Sequence, residues 1–294
     1  MTASPQHSDP ALIDRLRRQI HARGVVDIVG AWEPLSGGRT NQAWRVTTQS
    51  GTCAVVKLYA PATDNPLFHN NPVVEGQMLK WLTGHAIAPR ILDFFETSDG
   101  PCLVYWYLTG TNWKKGVAMV AKSLNRVHRL RAPDGLPQAP DGSAALEGQT
   151  HAILERCSSN AARAAASLAP SGPQVAPSGR HMLLHGDPVP GNMVVLGENL
   201  HFIDWQCPAV GDPCDDLAIF LSPAMQLIYR GHALSPAERA AFLVSYPCAD
   251  TAARYRALAP WYHWRMLAYC LWRHEQGDPG ARYAAQAEQA GFVG

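Results

Sequence analysis

The sequence predicts an α+β protein of two lobes, a small sheet-rich N-terminal lobe and a larger, mostly helical C-terminal lobe. Short runs of β-branched and aromatic residues, separated by turn residues, are concentrated before Gly110. After Gly110 the apolar residues recur at helical spacing instead, and from Asp216 onward the pattern is mostly helical. We therefore expect residues 1–108 to form the first lobe and residues 109–294 the second.

The elements of the first lobe follow from its apolar patterns. A short amphipathic helix is expected at 11–22, and three strands with tight turns are expected within 31–59. A helix is expected at 73–82. Two further strands, at 90–97 and 101–108, are joined by the turn residues Ser-Asp-Gly.

The second lobe begins with a clear helical pattern at 117–130, where the apolar residues fall on one face. Short strands at 181–187 and 193–205 flank a loop that contains two prolines and a glycine. The helical region after Asp216 includes Pro260, which is typical of a helix start.

Composition excludes several classes of protein. The 294 residues suffice for two lobes with real cores, and 47% hydrophobic with 17% charged residues is typical of a globular protein. The net charge of +1 favours neither a nucleic-acid partner nor a disordered acidic tail. Seven cysteines without a Cys-x-x-Cys motif favour a reducing compartment over a disulfide framework or a zinc site. With no signal-peptide core and no apolar run of membrane-spanning length, we expect a cytoplasmic protein without a membrane partner, whose oligomeric state is unknown.

The sequence HGDPVPGN at 185–192, followed by FIDW at 202–205, carries the strongest functional signal. Asp187 can accept a proton from a hydroxyl group, whereas Asn192 and Asp204 offer an amide oxygen and a second carboxylate. Such oxygen ligands are those that Mg²⁺ prefers, often shared with the phosphates of a substrate. The alternative is a polar turn in which Asp and Asn bond the local backbone. The complete set of residues, in this order, favours the functional interpretation.

Two features of the first lobe suggest phosphate binding. Gly37 and Gly38 lie in a turn at 35–41, where free backbone N–H groups can bind phosphate oxygens, although Gly-Gly is also a common hairpin turn. Lys57 lies in a predicted strand, and Glu75 shares a helical stripe with Leu79 and Leu82, which predicts that it faces inward. An inward carboxylate requires a cation, so we expect Glu75 to hold Lys57, which could then bind phosphate oxygens. A solvent-exposed Lys57 is the alternative.

These motifs resemble those of the protein-kinase-like fold, in the branch of aminoglycoside phosphotransferases and choline/ethanolamine kinases. The loop at 185–192 resembles that branch's His-Gly-Asp-x-x-x-x-Asn loop, and 202–205 resembles its Ile-Asp-Trp/Phe metal-binding strand. The segment GDPCDDLA at 211–218 resembles a third motif of the branch, and VHRL at 127–130 its Leu-His segment. The resemblance implies a small antiparallel-sheet N-lobe, a helical C-lobe and ATP-dependent phosphoryl transfer.

The resemblance also implies a role for each matching residue. Asp187 would be the catalytic base or would orient the hydroxyl, Asn192 and Asp204 would hold Mg²⁺, and Lys57, oriented by Glu75, would contact the ATP phosphates. The other ATP-binding residues implied, in the glycine turn and at the hinge that pairs with adenine, are Gly37, Gly38, Asn41, Trp106 and Leu108. The residues implied to brace the loop structurally are His185 and Asp216.

The phosphate acceptor is less well defined by the sequence. A stripe on the helix predicted at 259–278 comprises Trp261, Trp264, Trp272 and Glu275. An aromatic stripe is as often core as ligand site, but it could also form a cation–π box with Glu275 adding negative charge. Choline kinases, and bacterial thiamine kinases, are similar in this helix. We therefore expect an ATP- and Mg²⁺-dependent kinase acting on a small cationic alcohol.

Two alternatives to that function stay open. An antibiotic phosphotransferase of the same fold would need several carboxylates for the amines of its substrate, and the acidic residues of the second lobe form no dense cluster: Glu155, Asp212, Asp215 and Glu238. A non-catalytic nucleotide-binding pseudokinase would have no need to keep Lys57, Asp187, Asn192 and Asp204 together.

Overall fold

The computed structural model describes residues 9–35, 40–61 and 64–293. It has the predicted α+β fold, with an antiparallel sheet in the N-terminal region and a helical C-terminal region. No helix among the residues described combines the length and the apolar character that a membrane span requires.

The chain divides into two compact units. The first unit comprises the described residues of Met1–Asn65 and His69–Gly110, and the second comprises those of Pro66–Phe68 and Thr111–Gly294. The three residues Pro66–Phe68 belong to the second unit, although in the sequence they lie between the two segments of the first unit. No sequence pattern indicates this assignment.

The first unit is built on a five-stranded antiparallel sheet with the strand order β1-β2-β3-β5-β4. Its elements are α1 (Pro10–Ala22), β1 (Ile28–Pro34), β2 (Gln42–Thr48), β3 (Cys53–Leu58), α2 (Pro72–Trp81), β4 (Ile91–Thr97) and β5 (Gly100–Trp106). Helix α1 buries Leu12, Leu16 and Ile20 in the same cluster as Trp32 and Trp44 of the sheet. These positions follow the helical period in α1, which explains why the predicted helix forms.

The second unit is mostly helical. Its elements are β6 (Thr111–Asn112), α3 (Val117–His128), α4 (Ser143–Leu154), α5 (Asn160–Ala166), β7 (Met182–Leu184), β8 (Met193–Leu196), β9 (Asn199–Phe202), β10 (Ala209–Gly211), α6 (Cys214–Leu221), α7 (Pro223–Arg230), α8 (Pro236–Ser245), α9 (Ala249–Glu275) and α10 (Ala281–Val293). Two small sheets, of order β10-β7 and β6-β8-β9, flank the loop that carries Asp187.

The long helix α9 corrects one prediction. Pro260 does not start a helix but lies inside α9, which begins at Ala249. A proline in a helix interior removes one backbone hydrogen bond. Packing outweighs that loss here, because α9 is contacted along its length by α4, α5, α6 and α10.

Candidate active site

Lys57 and Glu75 of the first unit form the predicted ion pair. Lys57 Nζ lies 2.6 Å from Glu75 Oε2, and the two residues are only 6% and 1% exposed. The hydroxyl of Tyr59 donates a hydrogen bond to the same carboxylate oxygen, and Lys57 Nζ lies 4.8 Å from the centre of the Tyr59 ring. A buried ion pair is stable only when its geometry and additional hydrogen bonds compensate for desolvation, and Tyr59 provides that support. The sequence analysis missed Tyr59, which lies two residues after Lys57 and therefore on the same face of the extended chain.

The backbone N–H groups at the predicted hinge after β5 differ in their partners. The N–H groups of Trp106 and Tyr107 donate to the carbonyls of Arg90 and Cys53. The N–H of Leu108 has no acceptor among the residues that the structure describes. Leu108 can therefore donate to a ligand, as the hinge prediction requires.

Of the three predicted ATP-binding residues between β1 and β2, the structure describes only Asn41. The side-chain oxygen of Asn41 accepts hydrogen bonds from the amide of Asn70 at 2.9 Å and from the backbone N–H of Ala60 at 3.1 Å. Asn41 thus joins the start of β2 to the chain that follows β3. Gly37 and Gly38 lie outside the described residues.

The loop at 185–192 in the second unit is fixed by a neutral His185. The Nδ1 atom of His185 accepts the backbone N–H of Asp187 at 3.2 Å, and Nε2 lies 3.1 Å from the carbonyl oxygen of Ile203. Nδ1 is therefore an acceptor and Nε2 the donor. Burial lowers the pKa of His185, although the carboxylates of Asp216 and Asp204 act in the opposite direction. The predicted bracing role of His185 has this geometric basis.

Gly186 is required at its position by both conformation and space. Its φ is +80°, and a Cβ atom there would lie 1.8 Å from the carbonyl oxygen of Cys207. No other residue fits so close an approach. The glycine of the motif thus allows the chain after Asp204 to pack directly against the catalytic loop.

The carboxylate of Asp216 binds the backbone at the beginning of the loop at 185–192. Its two carboxylate oxygens accept the backbone N–H groups of His185 and Gly186 at 2.8 and 2.9 Å. His128 Nε2 donates to Asp216 at 3.0 Å, and the hydroxyl of Tyr246 lies 2.7 Å from His128 Nδ1. Burial opposes ionisation of Asp216, but the hydrogen bond and charge of His128 outweigh it, so the pKa of Asp216 is lowered. Asp216 is thus an ionised acceptor for both N–H groups.

Asp187, Asn192 and Asp204 lie close together in the second unit. The side-chain amide of Asn192 donates to the Asp187 carboxylate and to its backbone carbonyl, each at 3.0 Å. That orientation leaves the side-chain oxygen of Asn192 for another partner. Burial and, after it, the negative charge of Asp204 raise the pKa of Asp187 to about 8, while the hydrogen bond from Asn192 opposes the shift. The effect of Asp204 on Asp187 indicates a concentration of negative charge at this point.

Asp204 is presented by an unusual backbone conformation. It lies two residues beyond β9 and not at the strand end, and its φ of +65° is uncommon for residues other than glycine. The indole N–H of Trp205 donates to the carbonyl of Phe202 at 2.9 Å, and the Trp205 ring lies 4.5 Å from the His185 ring. This anchored tryptophan holds the turn that carries the Asp204 carboxylate.

The donors of the catalytic loop fit a hard divalent cation. They are carboxylate and amide oxygens, the ligands that such cations prefer. A group of three or more His, Cys, Asp or Glu side chains suited to a metal does not occur among the described residues. The candidate ligands are two carboxylates and one amide, a set that would leave positions for phosphate oxygens and water.

The residues predicted to bind the acceptor are not equivalent in the structure. Trp261 and Trp264 are buried, and the indole N–H of Trp264 donates to the carbonyl of Ala165 at 2.8 Å. Glu275 accepts the backbone N–H groups of Ser158 and Ser159 at 2.7 and 3.0 Å, at the start of α5. Trp264 and Glu275 are thus engaged in packing, the alternative that the sequence left open. Burial opposes ionisation of Glu275, but these hydrogen bonds outweigh it and its pKa is lowered.

An aromatic cluster that the sequence did not indicate lies in the same unit. Phe68 contacts Tyr269 edge-on at 5.0 Å between ring centres, and Trp272 stacks on Tyr269 at 5.8 Å. Phe68 and Trp272 are only partly buried. The Tyr229 ring packs against the same hydrophobic core as these rings and touches the loop at 185–192, since a Cβ atom at Gly191 would lie 2.7 Å from it. Of the predicted stripe, only Trp272 belongs to this partly exposed group of rings.

Comparison with protein families gives one match that spans most of the chain. The sequence profile of the phosphotransferase enzyme family matches residues 31–261. The match includes the ion pair of the first unit and the whole catalytic loop of the second. Comparison with curated proteins gave no significant match.

Solved structures with a similar fold include kinases and antibiotic phosphotransferases. A choline/ethanolamine kinase family protein from Mesorhizobium loti is 15% identical and has a TM-score of 0.65, with 96% of this chain and 94% of that chain covered. A macrolide 2'-phosphotransferase from Brachybacterium faecium is 19% identical with a TM-score of 0.58, covering 95% and 98%. An aminoglycoside phosphotransferase from Streptomyces rimosus, in complex with ADP and streptomycin, is 18% identical with a TM-score of 0.53, covering 86% and 97%. These likenesses identify the protein-kinase-like fold.

Proposed function

Since the chain belongs to the phosphotransferase enzyme family, we propose that it transfers the γ-phosphate of ATP, with Mg²⁺, to a hydroxyl group of a small cationic alcohol. The observation that carries this proposal is the catalytic loop. It combines a buried Asp187 with a neighbouring carboxylate and an amide oxygen, in a backbone fixed by His185 and Asp216. Phosphoryl transfer needs positioning and charge neutralisation more than covalent participation of the protein.

In this proposal Asp187 binds and orients the acceptor hydroxyl and accepts its proton. Its carboxylate is held in one orientation by the amide of Asn192, which serves the geometric requirement of a general base. Asn192 and Asp204 would hold Mg²⁺, which when bound supplies positive charge to the phosphate oxygens. The raised pKa of Asp187 follows from burial and from Asp204, so a cation at Asp204 would favour ionised Asp187.

The first unit is proposed to bind the nucleotide. Lys57 is held extended by Glu75 and Tyr59, which favours a fixed ammonium group for phosphate oxygens. The N–H of Leu108, without an acceptor among the described residues, is proposed to donate to the adenine ring.

The proposed acceptor class rests on the aromatic cluster of Phe68, Tyr269 and Trp272. Ring faces attract a desolvated ammonium group. The Tyr229 ring packs against the same hydrophobic core and contacts Gly191 of the loop that carries Asp187. A small alcohol with an ammonium group would thus place its hydroxyl and its cation on neighbouring parts of one unit.

The carboxylates of the second unit favour this acceptor over an aminoglycoside. Recognition of several amines requires free acidic groups, but three of the four candidates in the second unit are paired with arginines. Asp212 pairs with Arg254, Asp215 pairs with Arg265, and Glu238 pairs with Arg230. Those carboxylates are therefore engaged inside the protein.

An ADP-release assay tests the proposal. The purified protein would be supplied with Mg²⁺-ATP and, separately, with choline, ethanolamine, thiamine and kanamycin, with Asp187→Asn as the blank. We expect acceptor-dependent ADP release with at least one of the small cationic alcohols and none above the blank with kanamycin. Turnover with kanamycin alone would assign the antibiotic alternative, and ATP binding without any turnover would assign the pseudokinase.

A further inference from the structure

The N-terminal turn of α6 contains two consecutive buried aspartates with different partners. Asp216 holds the backbone of His185 and Gly186, as described above. Asp215 points elsewhere, and its Oδ1 lies 2.7 Å from Arg265 Nη2 of α9. This contact is an ion pair whose alignment is not that of a hydrogen bond. The mechanism proposed above gives Asp215 and Arg265 no role.

Arg265 is held as firmly as its partner. Its side chain is 1% exposed, and its Nη1 donates to Gln149 Oε1 of α4 at 2.9 Å. The guanidinium carbon lies 5.0 Å from the centre of the Tyr262 ring, one turn earlier on α9. The guanidinium therefore has a single orientation, fixed by two helices and directed at the start of α6.

A second arginine of α9 acts on the same segment. Arg254 bonds the carboxylate of Asp212 and also pairs with Asp141 at 2.8 Å. Arg254 and Arg265 are eleven residues apart, so they lie on one face of the helix. Helix α9 thus forms ion pairs with two carboxylates, those of Asp212 and Asp215, in the segment just before Asp216.

Stability alone does not account for the Asp215–Arg265 pair. Desolvation of two buried charges usually offsets their attraction, and a pair of apolar residues would serve packing equally well. The carboxylate of Asp215 also places a second buried negative charge next to that of Asp216. What the pair does supply is a charge–charge contact at 2.7 Å that holds α9 against the first turn of α6.

We propose that Asp215 and Arg265 are positioning residues for the proposed reaction. Their ion pair fixes the first turn of α6, which keeps the Asp216 carboxylate aligned with the N–H groups of His185 and Gly186. The orientation of Asp187, the next residue, depends on that alignment. The inference rests on the proposed function for its kinetic part, because displacement of a catalytic group by about 1 Å can lower a rate a hundredfold.

The test compares three variants of the whole chain. Asp215→Asn removes the negative charge of the pair. Arg265→Lys keeps the positive charge but loses the planar guanidinium group, which can contact two partners at once. Glu288→Gln is the matched control, because Glu288 is a carboxylate 1% exposed that pairs with His263 of α9 and bonds Ser222 and the N–H of Ala224. Melting temperature, kcat, KM for ATP and hydrogen–deuterium exchange of the peptide with His185 and Gly186 would be measured for each.

We expect Asp215→Asn to lower kcat by about tenfold or more with KM for ATP within about twofold. The amides of His185 and Gly186 should exchange faster, and Arg265→Lys should give an intermediate result. Glu288→Gln should lower the melting temperature without changing kcat or that exchange. Unchanged kcat and exchange in Asp215→Asn would overturn the inference, as would equal losses in Glu288→Gln. Should Asp215→Asn not fold, Arg265→Lys decides in the same way. Absence of turnover in the wild type would refute the proposed function, and the exchange data would still decide the positioning role.

Discussion

The side-chain amide of Asn192 donates a hydrogen bond to the carboxylate of Asp187 at 3.0 Å. One residue proposed to hold the metal therefore also orients the proposed base. This arrangement couples the two functions of the loop, because the nitrogen of the amide faces Asp187 and its oxygen stays available to a cation.

Asp187→Asn should abolish phosphoryl transfer while leaving the fold intact. We expect kcat to fall by about a hundredfold or more, the range in which general acid–base groups contribute. The melting temperature in metal-free buffer should stay the same or rise, since the substitution removes a carboxylate whose ionisation burial and Asp204 oppose. ADP release and thermal unfolding measure both. Retention of wild-type kcat would exclude Asp187 as the base.

The raised pKa of Asp187 predicts how stability depends on pH without metal. The pKa of Asp187 is about 8 in the folded protein, whereas the ordinary pKa of an aspartate carboxyl group, expected in the unfolded chain, is 3.8. Between these values the folded state binds more protons, so its stability falls as pH rises. Urea unfolding in chelator at pH 5 and pH 8 should show this loss in the wild type and a smaller loss in Asp187→Asn. An equal loss of stability between pH 5 and pH 8 in both proteins would contradict the raised pKa of Asp187.

Lys57→Met should damage both stability and ATP binding. The substitution removes the cation that pairs with the buried carboxylate of Glu75, and breaking a buried ion pair destabilises by about 3–5 kcal/mol. The double variant Lys57→Met with Glu75→Leu should regain part of the stability but none of the affinity for ATP. Chemical denaturation and ATP titration separate the two effects. Full ATP affinity in the double variant would show that Lys57 does not contact the nucleotide.

Trp264→Ala and Trp272→Ala should behave differently. Trp264 is buried and hydrogen-bonded, so its removal should destabilise by about 3–5 kcal/mol without a specific effect on the acceptor. Trp272 is partly exposed in the aromatic cluster, and its removal should raise KM for the acceptor by the equivalent of about 1–2 kcal/mol. Steady-state kinetics on the folded variants distinguish them. An unchanged KM in Trp272→Ala would remove the cluster from the acceptor site.

The sequence was sufficient where local chemistry decides structure. The pairing of Lys57 with Glu75 could be predicted because a carboxylate on an apolar helical stripe requires a cation. The strands of the first unit could be predicted from short β-branched runs between turn residues. The positions of Asp187 and Asn192 in one loop followed from their spacing and from the two prolines that prevent a helix there.

Long-range packing decided what could not be predicted. The periodicity of α9 places Trp261 and Trp264 on one face, but only the neighbouring helices determine that this face is core. The carboxylate of Glu275 accepts backbone hydrogen bonds at the start of α5, more than a hundred residues earlier in the chain. Nothing local in GDPCDDLA identifies Arg254 and Arg265 as the partners of Asp212 and Asp215, because both arginines come from a helix much later in the chain.

The most direct measurement of the central claim is ³¹P NMR of the wild type and of Asp187→Asn, each with Mg²⁺-ATP and a small cationic alcohol. The account predicts a phosphomonoester signal that grows with the wild type as the γ-phosphate signal of ATP declines, and that is absent with Asp187→Asn. Equal formation of the phosphomonoester by both proteins, or release of inorganic phosphate alone by the wild type with every alcohol, would contradict it.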